Sequence, residues 1–127
     1  MNTFVLIAGV LASLATIGHF TMGTKMYLKP FLSAELDPIV KNVMHSVFHY
    51  ISVYMVFSSL FLVVIGIRGE KCLFDPTLIL AFIGINYGLF ALVQIIIGLT
   101  SRLPGALMKM FQWIFWILIS LFVFLGK

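Results

Sequence analysis

Charge is what this chain has least of. Its 127 residues include eight Lys/Arg and four Asp/Glu, 9% charged in all, against about 25% in soluble domains. A water-soluble globule is excluded, because there is too little polar surface to cover one. The mean hydropathy of +1.17 points to lipid as the main solvent. None of the four carboxylates, Glu35, Asp37, Glu70 and Asp75, falls within a long apolar stretch. This removes membrane-embedded Ser/His/Asp hydrolysis. It also removes the pattern of small multidrug-resistance transporters, which carry an acidic residue in the first helix. The single Cys72 excludes an internal disulfide and thiol–disulfide exchange through a C-x-x-C pair. No glycine-rich phosphate loop is present, which argues against nucleotide use. The net charge of +4 is scattered, and no basic stripe suggests a nucleic-acid partner.

What the chain has instead is four apolar stretches, at about residues 2–22, 39–67, 77–99 and 105–125. In lipid, only helices and closed barrels satisfy the backbone. Barrel strands would be about 10 residues long and alternating. These runs are about twice as long and do not alternate, so each is expected to be a helix. The first lacks Lys or Arg in Met1 to Thr3, which argues for a retained helix and not a signal peptide. Cleavage after Ala12 to Ala15 is the alternative. Asp37-Pro38 and Asp75-Pro76 each place a capping carboxylate before a proline at the first helical position. Residues 24–38, with Pro30 and Pro38, read as the first loop, and residues 100–104 as the third.

Short connections make neighbouring helices antiparallel. The expected architecture is all-α: one domain over residues 1–127, an integral membrane four-helix bundle running up-down-up-down. Lys25, Lys29, Lys41, Arg102 and Lys109 lie at one end, with Arg68, Lys71 and Lys127 at the other. That bias places loops one and three in the cytoplasm and both termini outside. The expected location is a bacterial inner membrane, with the bilayer as partner and a homo-oligomer or larger membrane complex as further partners.

Small residues mark the faces through which membrane helices pack. Ala8, Ala12, Ala15 and His19 form such a stripe on the first helix. On the second, His45, His49, Ser52, Ser59 and Gly66 follow the same periodicity, with Val56 and Val63 between them. On the third, Gly84 and Gly88 form a G-x-x-x-G pair, read as close approach within the chain. Asn86, Tyr87 and Gln94 are expected polar groups of the interior, bonding across to a partner helix. Trp113 and Trp116 read as interface anchors or packing residues.

The three histidines carry the main functional expectation, since ionisable groups inside a membrane are costly. His45 and His49 are one turn apart on one helical face, and His19 approaches from the neighbouring helix. Three imidazoles suit Zn, Cu, Fe or Ni, and the thioethers of Met22, Met26 and Met44 would favour copper. His19 with His45 or His49 is also an arrangement for axial haem ligation. Proton relay and a purely structural polar cluster remain open.

Three segments carry a resemblance: His19-Phe20-Thr21-Met22-Gly23, then Leu28-Lys29-Pro30-Phe31-Leu32, then Phe48-His49-Tyr50-Ile51-Ser52. Together they resemble a pattern in small four-helix bacterial inner-membrane proteins of uncharacterised function. It consists of a His-x3-Gly motif, a proline-leucine loop, and an aromatic-histidine pair with serine three positions later. The resemblance covers the first half of the chain. It implies that His19 and His49 act together and supplies no activity. Thr24 stands where that pattern often has Glu.

The function expected is transition-metal or haem binding at His19, His45 and His49, in metal handling or redox, as an accessory subunit or alone. One alternative is a membrane assembly protein whose histidines are polar contacts. Another is an oligomeric small transporter. No enzyme signature is evident.

Overall fold

A computed structural model of the chain describes residues 1–69, 75–100 and 104–127. Cys72, Lys71 and Arg102 lie outside the described residues. The described chain is all-helical, without a strand. Helix α1 (Thr3–Gly18) runs directly into a π-helical segment, π1 (His19–Leu28), and on into α2 (Lys29–Ser33). Helix α3 spans Pro38–Arg68 and α4 spans Pro76–Thr100. A single turn, α5 (Ala106–Lys109), precedes α6 (Trp113–Leu125). The runs Thr3–Ser33, Pro38–Arg68 and Pro76–Thr100 are long and apolar enough to cross a membrane.

Two helix bounds differ from the sequence expectation. The first helix continues past Met22 to Ser33, leaving only residues 34–37 as the first loop. Pro30 does not break it, because it falls where π1 hands over to α2. There Lys29 donates to the Thr24 carbonyl, five residues back, and the next residue is proline, which has no N–H to place. The fourth helix starts late, at Trp113. Gly105 takes φ +69°, a left-handed turn that separates α5 from what precedes it. At about 1.5 Å per residue, the 13 residues of α6 cover about 20 Å, short of the ~30 Å hydrocarbon layer.

The expected caps are present. Asp37 Oδ1 accepts from Ile39 N at 2.8 Å and Val40 N at 3.3 Å, and Asp75 Oδ1 accepts from Thr77 N at 2.9 Å. Asn2 caps α1 by accepting from Val5 N. It also ties three chain segments together: its N–H donates to the Gly66 carbonyl at 2.7 Å, and its side-chain amide donates to the Gly126 carbonyl.

Helix α1 lies between α3 and α6, and α4 packs on α6. Contacts down the α1–α3 seam pair rising with falling numbers, Leu6 with Gly66, Gly9 with Val63, Thr16 with Met55 and His19 with Ser52, so the two run antiparallel. Glycine is required at both tight points. A Cβ on Gly66 would lie 2.7 Å from Leu6 Cα, and one on Gly9 would lie 2.7 Å from Val63 N. The backbones themselves touch here, which is how membrane helices gain packing energy without a hydrophobic driving force. The G-x-x-x-G pair does what its spacing suggests: Gly84 meets Val123 and Phe124, and Gly88 meets Ser120. Val5, Ala8, Ala12, Leu62, Ile65, Leu80, Ile83, Tyr87, Ile119 and Val123 form the core. The outer faces carry large exposed apolar side chains on every long helix, among them Phe57, Leu60, Phe82, Leu92 and Leu121. Water would not tolerate that surface; contact with a lipid bilayer suits it.

Candidate functional site

The inward face of α3 is built on Ser52, Met55, Ser59, Leu62 and Gly66, all buried. This three-four spacing places His45 and His49 at its edge, not on it. His49 is exposed and His45 half-buried. Val56, assigned to the inward stripe from sequence, is 42% exposed.

His19 does reach the seam. Its ring stacks on Phe48 with centroids 4.1 Å apart and an interplanar angle of 17°. Its Nε2 lies 2.9 Å from Ser52 Oγ. Ser52 has one hydrogen, and its Oγ donates to the Phe48 carbonyl at 3.0 Å. His19 Nε2 is therefore the donor to Ser52, and Nδ1 is left as the acceptor. Nδ1 faces Gly23, where a Cβ would stand 3.7 Å away.

His45 and His49 pair with each other, Nε2 to Nε2 at 3.0 Å. The three histidines therefore divide into a pair and a separate ring. Among the described residues, no group of three or more His, Cys, Asp or Glu side chains is placed to hold a metal ion. The physical reason is register: residues 45 and 49 sit on average about 60° round the helix from residues 48 and 52, which are the ones His19 meets. A macrocycle held between His19 and α3 would need the gap that the Phe48 ring fills. Met22 and Met26 are exposed on π1, and Met44 is exposed on α3.

No family model, curated protein or solved structure matches this chain. Its chemistry rests on the geometry alone.

A groove of about 250 Å³ opens beside His19, between the α1–π1 run and α6. Its apolar lining includes Leu14, Ala15, Met22, Met26, Phe115 and Trp116. His19, Tyr27 and Gln112 are its polar lining residues. Tyr27 and Gln112 belong to one hydrogen-bond network with Gln94 and Trp116. Trp116 Nε1 donates to Gln94 Oε1 at 2.9 Å. Gln94 Nε2 donates to Gln112 Oε1 at 2.8 Å and to the Met110 carbonyl at 2.9 Å. Gln112 Nε2 donates to Tyr27 OH at 3.2 Å, leaving the Tyr27 hydroxyl hydrogen free to donate onward.

Of the three polar residues expected in the interior, Gln94 is the hub of this network. Tyr87 is fully buried, its OH 2.8 Å from Ser58 Oγ on α3. Asn86 differs: its amide donates to the Phe82 carbonyl of its own helix at 2.8 Å, so it joins no neighbour. Sequence reasoning missed Tyr27 and Gln112. The signal for Gln112 was a second amide in an apolar helical context.

Proposed function

We propose that the chain is a four-helix up-down-up-down bundle in a bacterial inner membrane, and that it binds a lipid-soluble molecule in the groove beside His19. Antiparallel pairing of α1 with α3, and of α4 with α6, supports that topology. The resemblance carried by His19, Gly23 and His49 supports the location, and the Lys/Arg bias supports both termini outside.

The observation that carries the function is the groove itself: mostly apolar, with Met22 and Met26 of its lining exposed, and with His19 and Tyr27 among its few polar residues. Ligand pockets are mostly apolar with a few converging polar groups. At about 250 Å³ it falls just below the ~300 Å³ where such pockets begin. That size suits one chain or one ring and excludes a porphyrin. The ligand is then an apolar chain or ring bearing a polar head such as a hydroxyl, which can donate to His19 Nδ1 or accept from the Tyr27 hydroxyl. The protein's part is to hold and orient it.

Gly18→Leu tests this. Gly18 lines the groove, and a Cβ there meets nothing within 4 Å. The variant places a branched side chain where the glycine leaves open space. Lipid-soluble molecules co-purified in mild detergent are extracted and identified by mass spectrometry. A hydroxylated apolar molecule is expected at near-stoichiometric amount with the parent chain and lost in Gly18→Leu. Equal retention by both would sink the proposal.

A second reading, an assembly protein whose histidines are internal polar contacts, is favoured by His19 Nε2 being already engaged with Ser52. It predicts that the parent chain retains no such molecule.

A further inference from the structure

We propose that His45 and His49 form a two-imidazole chelate for a divalent transition-metal ion at the headgroup layer. The site is separate from the groove and independent of its ligand. Residues four apart on a helix lie on one face, and here both Nε2 atoms turn to a common point, 3.0 Å apart, with ring centroids at 4.8 Å. At that distance one nitrogen donates and the other accepts, so a single proton sits between them. Metal–imidazole bonds of about 2.0–2.1 Å at a tetrahedral angle separate their two nitrogens by roughly 3.3 Å. A metal ion can take the place of the shared proton, which moves to Nδ1 of its own ring so that both imidazoles stay neutral, with an opening of about 0.3 Å, within the reach of a small side-chain rotation.

Two features favour the exchange. The Phe48 ring stands edge-on to His49, centroids 5.6 Å apart at 88°, and limits the rotation of that imidazole. Neither histidine is fully buried, so water can complete the coordination shell. Helix α3 has 31 residues, about 46 Å, and the hydrocarbon layer takes about 30 Å, or about 20 residues. Counted back from Arg68, the apolar layer ends near Phe48. The pair then lies at the water boundary, where an ion arrives without crossing lipid. With imidazole donors and no carboxylate, the site selects Zn²⁺, Ni²⁺ or Cu²⁺ over Mg²⁺ and Ca²⁺. Lys41, one turn before His45, is the nearest cation in sequence on that side, and its charge opposes binding.

The test uses the full chain in detergent, free of tag histidines and stripped with chelator, titrated with Ni²⁺ and separately with Zn²⁺ by calorimetry. One ion per chain is expected. Affinity should fall at least tenfold in His45→Gln and in His49→Gln, and stay unchanged in His19→Gln and Gly18→Leu. Lys41→Gln should bind more tightly. Helical circular dichroism confirms that each variant is folded. Undiminished affinity in the His45→Gln/His49→Gln double variant, or no binding by the parent chain, would overturn the assignment.

Discussion

Substituting Gly66 by alanine adds one methyl group where two backbones touch. The new Cβ would lie 2.7 Å from both Leu6 Cα and Leu6 N, and 2.9 Å from Leu6 Cβ. Carbon atoms prefer about 3.5–4.0 Å, so α1 and α3 must part locally by nearly 1 Å. A gap of 0.5–1 Å forfeits a quarter to a half of each dispersion contact. With about 30 atom pairs along this part of the seam at ~0.15 kcal/mol each, the loss is about 1–2 kcal/mol. Insertion of extra methyl groups into packed cores costs about 1–3 kcal/mol, which agrees. The Asn2 N–H bond to the Gly66 carbonyl is strained by the same displacement. Gly18→Ala is the control. It adds the same methyl with nothing within 4 Å and gains up to about 1 kcal/mol of helix propensity. Unfolding in mixed micelles by SDS titration, followed by circular dichroism, should show Gly66→Ala less stable and Gly18→Ala equal or more stable. If Gly66→Ala matches the parent chain, the α1–α3 seam is not a backbone contact and the reasoning fails.

Two tyrosines on facing helices should respond with opposite signs. Tyr87→Phe removes the bond to Ser58 and should cost about 0.6 kcal/mol, the usual worth of a side-chain hydrogen bond between membrane helices. Tyr54 OH is buried without a partner among the described residues, so Tyr54→Phe should raise stability by about 1 kcal/mol in the same titration. Gln94→Leu strands the Trp116 indole N–H and frees Gln112. A loss of about 1–3 kcal/mol is expected, with a shift in tryptophan emission as the Trp116 environment changes. At the start of α4, the Thr77 hydroxyl and then its backbone N–H hold the Asp75 carboxyl below the usual carboxylate range. A depressed native pKa contributes stability that is present above the unfolded value and lost as pH falls through the native one. The unfolding midpoint of the parent chain should therefore decline below about pH 4, and Asp75→Asn should flatten that decline.

Much of the scaffold was legible in the chain. Asp37-Pro38 and Asp75-Pro76 mark helix starts because a capping carboxylate and a proline without N–H are both local devices. Gly84 and Gly88 announced a close approach because their spacing alone sets the face. Ala8 and Ala12 were right for the same reason. Extent was harder to read. Pro30 looked like a terminator, yet a switch of helix type absorbs it. His45 and His49, but not His19, were misplaced, by a little over half a residue of rotation. His45 and His49 share the small-residue period closely enough to pass as inward, but the true seam is fixed by Gly9 against Val63 and Gly66 against Leu6, far along the helix. Tyr27 and Gln112 meet across 85 residues of chain, a partnership that no periodicity encodes.

The position of α1 between α3 and α6 bears on the order of assembly. Its partner α3 is the next long helix to leave the ribosome, but the flank that meets α6 has no protein cover until the last segment is made. Helices α3 and α4, though successive, share little beyond the Tyr54, Ser58, Tyr87 and Phe90 contacts. Two packed pairs, α1 with α3 and α4 with α6, thus meet mainly along the α1–α6 seam, which predicts that they form separately and dock late. Residues 1–69 and 75–127 co-expressed as two polypeptides are expected to find each other in the bilayer and rebuild the groove between them.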